Sequence, residues 1–220
     1  WRRTTVGRGG GERAQEQGRV ELAEGVVVGC GSASPMIQLE VPGPRAPGAA
    51  VHKACGRVRE VAGESTIFEG LGSLPERLAE RLLAQDLRLA VSESFTGGLL
   101  NWRLQSAGVP LVNGELLPQD NDASPEKSLG CLLARAQDLA ETAGAQLALA
   151  VGALSGEALS LALHTPTGTC GLTIRYTATR HGLALRQETM AMVAMDMLRR
   201  YLNSWDPVAD YPWVDRVAQV

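Results

Sequence analysis

Residues 87–91, Leu-Arg-Leu-Ala-Val, run directly into Ser92-Glu93-Ser94-Phe95-Thr96-Gly97-Gly98 and then into an apolar helix through Leu104. A strand that gives way within a few residues to a glycine-bearing turn and a helix commits this part of the chain to layers of sheet and helix. The rest of the pattern agrees. Ser73-Leu74-Pro75-Glu76 opens a helix in which Ser73 can cap the first amides, Glu76 can reach back to close a capping box, and Leu74, Leu78 and Leu82 share one face. Residues 111–117 read as a strand, and 124–143 as a helix with Ser124, Pro125 and Glu126 at its front. Three further strands are expected at 147–151, 159–163 and 170–176, then a long helix at 180–202. Met190, Val193, Met197 and Tyr201 form one stripe of that helix, the methionines serving as core filler. The order predicts an α/β fold, a three-layer α/β/α sandwich with a mixed sheet.

Ahead of this domain, residues 25–70 read as a small α+β linker module. Its elements are strands at 26–28 and 36–41 joined by a Gly/Ser turn, a turn-rich break at 42–48, a helix at 49–61 and a short strand at 65–69. The boundary falls at 70–73, the main domain covers 71–204, and residues 1–24, rich in Gly and Arg, are expected to be a disordered or fragmentary arm. The tail, 205–220, holds Trp205, Tyr211 and Trp213 beside Pro207 and Pro212; it is expected to pack back on the domain or to dock a partner. The chain starts at Trp1 and is read as a piece of a longer protein.

Composition narrows the function classes. Of 220 residues 45% are hydrophobic, enough for a sizeable core, and 21 Lys+Arg against 24 Asp+Glu give a net charge of -3. That balance provides no cationic field for a polyanion, so nucleic acid is not an expected partner. No run of roughly 18 apolar residues exists to span a membrane. Cys30, Cys55, Cys131 and Cys170 lie far apart, without the close pairs of a zinc site, and are read as reduced thiols of a cytoplasmic protein with no metal. Lysine occurs only as Lys53 and Lys127, and arginine cannot accept a proton, so a lysine base would have to be one of those two.

The candidate chemistry sits in the turn. Where a strand meets a helix, free amides and the positive end of the helix dipole converge, which suits an anion or an oxyanion, and a serine there is a nucleophile if a base takes its proton. The simpler reading is that Ser or Thr caps the helix and Gly97 and Gly98 allow close packing. No carboxylate pattern accompanies His52, His164 or His181, so they do not supply a Ser-His pair.

The segment from Ser92 to Leu100 resembles the Ala-Glu-Ser-Cys-Thr-Gly-Gly signature of the C-terminal domain of the competence/damage-inducible CinA family, with Phe95 where the family has cysteine. The resemblance runs from Thr66-Ile67-Phe68-Glu69-Gly70 to about Leu202 and takes in Gly168-Thr169 and Arg186. Within the family it is greatest to the CinA-like proteins of the YfaY type, through Val61-Ala62-Gly63, Ser94 to Leu100 and Arg186-Gln187-Glu188. Active members are nicotinamide-nucleotide amidases, which hydrolyse the carboxamide of nicotinamide mononucleotide to the acid and ammonia. The resemblance implies Ser94 as nucleophile, and Thr96, Gly97, Gly98, Gly168, Thr169 and Arg186 as ligand-binding residues, with no cofactor.

The sequence also departs from the family. Active relatives carry a Tyr-Ser-Asn-Glu-x-Lys pattern whose lysine is expected to activate the serine; here the stretch from Leu116 to Ala123 places Pro118 near the tyrosine and Ala123 near the lysine. Lys127, a few residues on, is the remaining lysine in reach along the chain. The family's Thr-Gly-Ile-Ala-Gly-Pro loop reads Val151-Gly152-Ala153-Leu154-Ser155-Gly156. The expectation is therefore a degenerate, catalytically impaired domain that keeps part of a pocket for a pyridine mononucleotide or related small anion. Two rivals stay open: an active amidase using Ser94 with Lys127, and a non-catalytic homo-oligomerisation module using the last helix and the aromatic tail. Longer family members carry an upstream domain resembling molybdopterin-binding proteins, joined through a linker that 25–70 fits.

Overall fold

Small residues set how closely the layers of the main domain approach. The computed structural model describes residues 2–6, 29–33, 36–40, 52–53, 55–57, 60, 66–69, 72–119, 125–177, 181–211 and 214–220. They fall into two compact units, Trp1–Ser73 and Leu74–Val220. The second unit carries α1 (Leu74–Ala84), β5 (Leu89–Glu93), α2 (Leu99–Ser106), β6 (Leu111–Leu116), α3 (Pro125–Ala143), β7 (Leu147–Val151), β8 (Ala158–Thr165), β9 (Gly168–Tyr176), α4 (Leu183–Leu202) and β10 (Val214–Gln219). Its six strands form one mixed sheet in the order β10-β9-β8-β7-β5-β6, with β5 parallel to both β6 and β7 and the other pairs antiparallel.

Side chains alternate across a strand, so each face has its own sequence. On one face Ser92, Ala150, Ala162 and Gly171 line up in register across four strands. Ala90 and Ala148 form a second pair below them, and α3 packs on this face through Leu132, Ala136, Leu139 and Ala140. Gly171 belongs to this row because a Cβ there would lie 2.7 Å from the Leu161 carbonyl oxygen and 3.1 Å from side-chain atoms of Leu129 and Leu133. The opposite face carries larger residues, among them Leu149, Leu161, Leu163 and Leu172, and is covered by α4 with α2 and α1 beside it. The result is the expected α/β/α sandwich.

Every residue of α4 from Met190 to Leu198 is buried, while its first turn is exposed at Leu183. The aromatic tail turns back on this helix. Tyr211 donates to Asp196 Oδ2 at 2.9 Å, Arg199 Nε donates to Asp196 Oδ1 at 2.6 Å, and the guanidinium groups of Arg199 and Arg200 stand 5.2 and 5.7 Å from the Trp205 ring centroid. This clasp leads the chain into β10, which completes the sheet beside β9. Trp213 lies outside the described residues.

The first unit holds an antiparallel sheet of β1 (Arg2–Val6), β2 (Gly29–Ala33), β3 (Met36–Glu40) and β4 (Thr66–Glu69) in the order β2-β3-β1-β4. Two readings shift here. Arg2–Val6, in the stretch read as a disordered arm, is a strand between β3 and β4. The hairpin partner of β3 is Gly29–Ala33, the segment read as the turn, because a ladder needs only backbone groups and tolerates Gly and Ser. The expected strand at 26–28, the rest of the arm and the break at 42–48 lie outside the described residues; within 49–61, positions 52–53, 55–57 and 60 are helical. Among the described residues no helix is long and apolar enough to cross a membrane.

Two outcomes follow from this packing. Gly171→Ala forces α3 away from the sheet and should lower unfolding free energy by about 1–3 kcal/mol, read from the denaturation midpoint. Burial, and then the charge of Asp196, push the Tyr211 hydroxyl well above its ordinary range. A raised folded value gives stability that is present below the unfolded value of about 10 and lost as pH climbs through the folded one. The melting temperature should therefore fall less steeply above that pH in Tyr211→Phe than in the parent chain.

Candidate functional site

The strand β5 ends on Glu93, whose side chain is 0% exposed and points toward the start of α2. Its carboxylate takes four hydrogen bonds: from the Thr96 hydroxyl and the Leu100 amide (3.1 Å) on Oε2, and from the Asn101 amide (2.9 Å) and Asn101 Nδ2 (2.7 Å) on Oε1. A buried carboxylate without such donors would be strongly destabilising. Here it neutralises the positive end of the α2 dipole from inside the protein. Between Glu93 and the helix, Gly97 and Gly98 adopt φ of 63° and 94°, values that favour glycine, which explains the Gly-Gly pair in the turn.

This arrangement changes the roles expected of the turn. Thr96 is 2% exposed and its hydroxyl donates to Glu93, so the side chain expected to contact a ligand is part of the internal cap. The Leu100 and Asn101 amides are likewise committed to Glu93. Among the described residues the amides of Thr96 and Gly98 have no protein acceptor, and of the two residues Thr96 is buried and Gly98 half-buried.

Ser94 follows β5 directly. Its amide donates to the Val151 carbonyl at 2.9 Å and the Phe95 amide to the Gly152 carbonyl at 3.1 Å, which ties the turn to the loop after β7. The Ser94 hydroxyl donates to the Pro118 carbonyl oxygen at 2.8 Å, in the loop after β6. The loops after three parallel strands therefore meet at Ser94, and Gln119 Oε1 accepts from the Leu154 amide at 3.2 Å to close the group. Crevices outside the carboxyl ends of parallel strands are where α/β sheets hold ligands. Lys127 is the third residue of α3, and its side chain lies outside the described residues.

The first turns of α4 face the same turn from the other side of β5. Gln187 Nε2 donates to the Phe95 carbonyl at 2.9 Å, and Glu188 pairs with Arg103 of α2. Arg186 donates from Nε to the His181 carbonyl at 3.1 Å and from Nη1 to Glu157 Oε2 at 3.3 Å, and its guanidinium lies 5.0 Å from the centroid of the Tyr176 ring. The Tyr176 hydroxyl is hydrogen-bonded to His181 Nδ1 at 2.5 Å. Phe95, Tyr176 and Arg186 line one small pocket. Sequence reasoning assigned no role to Glu93, Gln187, Tyr176, His181 or Glu157. The one available signal was an acidic residue closing the apolar strand Leu-Ala-Val-Ser-Glu, seven residues before Leu100.

Gly168 and Thr169 do not join the site. They open β9 in the hairpin where Thr165 faces Gly168 and His164 faces Thr169 and Ala148, at the amino-terminal end of β7 and β5. Ala148 pairs with Ala90, and Ser94 comes four residues after Ala90, roughly 13 Å away along the strands and three strands across. The Thr169 hydroxyl is hydrogen-bonded to His164 Nδ1 at 2.7 Å instead. The structure thus brings Ser94, Gly97, Gly98 and the Arg186 region to one end of the sheet and leaves Gly168 and Thr169 at the other.

Glu93→Gln leaves one acceptor oxygen for four donors, and the unfolding free energy should drop by about 2–4 kcal/mol. Chemical denaturation reads this directly; a change below about 0.5 kcal/mol, the range of an ordinary surface substitution, would contradict the role of the cap.

No protein-family model matches the chain. It is 39% identical over 216 residues to a CinA-like protein of Shigella flexneri and, over the same length, to the NMN amidohydrolase-like protein YfaY of Escherichia coli strain K12. Each alignment takes in 98% of this chain and 53% of the relative, so the chain spans about half the length of the curated relatives it matches. The crystal structure of the competence damage-inducible protein A (ComA) from Klebsiella pneumoniae subsp. pneumoniae MGH 78578 has the same fold, with a TM-score of 0.50 at 19% identity, covering 60% of this chain and 96% of that one. Over the part of its relatives that it spans, and with the Ser-Glu-Ser-Phe-Thr-Gly-Gly turn in the fold described above, the chain is a relative of the CinA-like proteins.

Proposed function

We propose that the domain Leu74–Val220 descends from a nicotinamide mononucleotide amidase, keeps a small-ligand crevice at the Ser94 turn and has lost most of its catalytic power. The observation that carries this reading is the partner of the Ser94 hydroxyl, the Pro118 carbonyl oxygen at 2.8 Å. A carbonyl holds the hydroxyl proton in a hydrogen bond but cannot accept it, so the serine remains a poor nucleophile. Pro118 stands close to where the family's tyrosine is expected, and Ala123 close to its lysine. Without a base the expected loss is several orders of magnitude in rate. The ligand would be a pyridine mononucleotide or a related small anion, bound in the cytoplasm without cofactor.

One observation favours the rival reading of an active enzyme. α3 begins at Pro125, and its Ser128 hydroxyl would lie 3.8 Å from a Cβ built at Gly152, the residue whose carbonyl accepts the Phe95 amide. The first turn of α3, which includes Lys127, is thus close to the Ser94 turn.

Ammonia release from nicotinamide mononucleotide, measured beside calorimetric binding, separates the readings. The expected result is binding with a turnover no higher than that of Ser94→Ala. Turnover abolished in both Ser94→Ala and Lys127→Ala would overturn the proposal in favour of a Ser/Lys pair, and absence of both binding and turnover would remove the nucleotide from the account.

A further inference from the structure

The main sheet ends on two edge strands, β10 and β6. An edge offers a row of unpaired N–H and C=O groups to any further strand, and proteins usually guard it with charges, proline or a cover. β10 is guarded: it carries Asp215 and Arg216, and Arg216 binds Asp210 and Gln219. β6 reads Leu-Val-Asn-Gly-Glu-Leu, and its one charge, Glu115, is neutralised within the chain by Arg135 of α3. Among the described residues β5 is its only strand partner. Apolar side chains nevertheless stand open along it, Val112 at 41% and Leu116 at 62% exposure, with Trp102 of α2 at 63%. Trp102 follows Asn101, whose side chain lies over Gly114 and leaves no room for a Cβ there.

The strand is complementary to itself. Its pairing with β5 is regular from Asn113 to Leu116, and the Leu117 amide donates to the Glu93 carbonyl at 2.8 Å. Alternation therefore turns the backbone of Glu115 toward β5 and the backbones of Gly114 and Leu116 outward. A second copy related by a two-fold axis runs antiparallel here and keeps every residue on its own face, so only registers that pair like faces are open. Centred on Gly114, the register exchanges two backbone hydrogen bonds between the two glycines. It sets Asn113 opposite Glu115 twice, amide against carboxylate, and brings Val112 beside Leu116 at each end. Arg135 takes Glu115 Oε2, and Oε1 has no protein donor among the described residues. A shift either way is worse: centring on Glu115 opposes two carboxylates, and centring on Asn113 sets Pro110, which has no amide, against Leu116.

We infer that β6 is the contact surface for a second copy of this chain, joined antiparallel about Gly114 so that the two sheets run on as one. Any strand could satisfy the backbone of an open edge, but the twofold match of Asn113 with Glu115 is what an identical partner supplies. The contact lies beside the Ser94 turn. Leu117 comes opposite Leu111 of the second copy, and the next residue is Pro118, whose carbonyl holds the Ser94 hydroxyl. Pairing therefore steadies the loop after β6. The inference is independent of whether Ser94 is a nucleophile, and it uses neither the last helix nor the aromatic tail.

Sedimentation velocity of the full chain tests it, over about 1 to 100 µM, where a modest interface assembles. A reversible dimer is expected. Leu116→Lys places a charge on the edge twice per dimer and should raise the dissociation constant at least about tenfold, with the circular dichroism of the chain unchanged. Cross-linking reads the register. Chains with Asn113→Cys and chains with Glu115→Cys, each also carrying Cys131→Ser to remove an exposed thiol, are mixed under oxidised glutathione. The register sets these positions about 4.5 Å apart between Cα atoms, within disulfide reach, so the mixture links and either variant alone does not. A parent chain that stays monomeric throughout, or a dimer indifferent to Leu116→Lys, would overturn the proposal. So would a cross-link in either variant alone, which reports another register. The parent sedimentation and the cross-linking read the contact even where Leu116→Lys fails to fold.

Discussion

The Glu93 carboxylate is the interaction on which the site is built. It is buried at the end of β5 and joins that strand to α2 through four hydrogen bonds from three residues. The chain can then reverse from strand to helix within five residues only by passing through left-handed conformations at Gly97 and Gly98. Once that turn is fixed, Ser94 is placed where the loops after β6 and β7 reach it, and the Phe95 carbonyl is placed where Gln187 donates to it. A helix N-terminus is commonly a ready anion site, but here the protein has filled it with its own carboxylate. Any external anion must therefore rely on the remaining turn amides or on Arg186.

The layers around the sheet keep this end in place. Small side chains under α3 let that helix lie close across β5, β7, β8 and β9, and the larger residues of the other face fill the space beneath α4. The amino-terminal turns of α4 carry Arg186, Gln187 and Glu188 to the Ser94 end, while its carboxyl-terminal turns carry Asp196, Arg199 and Arg200 into the clasp that holds Trp205 and Tyr211. One helix therefore braces the site at one end and secures the last strand at the other. The buried ion pair of that clasp is satisfied by the Tyr211 hydroxyl on the second oxygen of Asp196, which keeps the desolvation cost of the charges in check.

Chemistry at the Ser94 turn depends on what the neighbouring loops present. The loop after β6 presents the backbone of Pro118, and the loop after β7 presents Gly152 and Leu154. Backbone groups can hold and orient a ligand, but they do not take up a proton near neutral pH. Arg186 supplies permanent charge rather than proton transfer, because a guanidinium stays protonated.

Much of the fold was legible in the sequence. Periodicity located α1, α3, α4 and strands β6 to β9 within a few residues, because uninterrupted or alternating apolar runs reflect burial on one or both faces. The Ser-Glu-Ser-Phe-Thr-Gly-Gly turn was legible too, since the glycines and the strand-to-helix change are local properties. Strand pairing was not. Gly29–Ala33 and Arg2–Val6 lack apolar periodicity and are strands through backbone partners supplied by β3, the next segment for the first and some thirty residues away for the second. The same holds for the site: Ser94 and Gln187 acquire their contacts through Pro118 and Phe95, tens of residues away in the chain, and Gly168 and Thr169, joined to the site by resemblance, are set at the far end of the sheet by the β8–β9 register. The sequence by itself determined most strands and helices of the main domain and where the glycine turn between strand and helix stands. Only the tertiary structure decided what faces that turn, because hydrogen-bond partners and distances depend on the order and register of strands that local pattern does not encode.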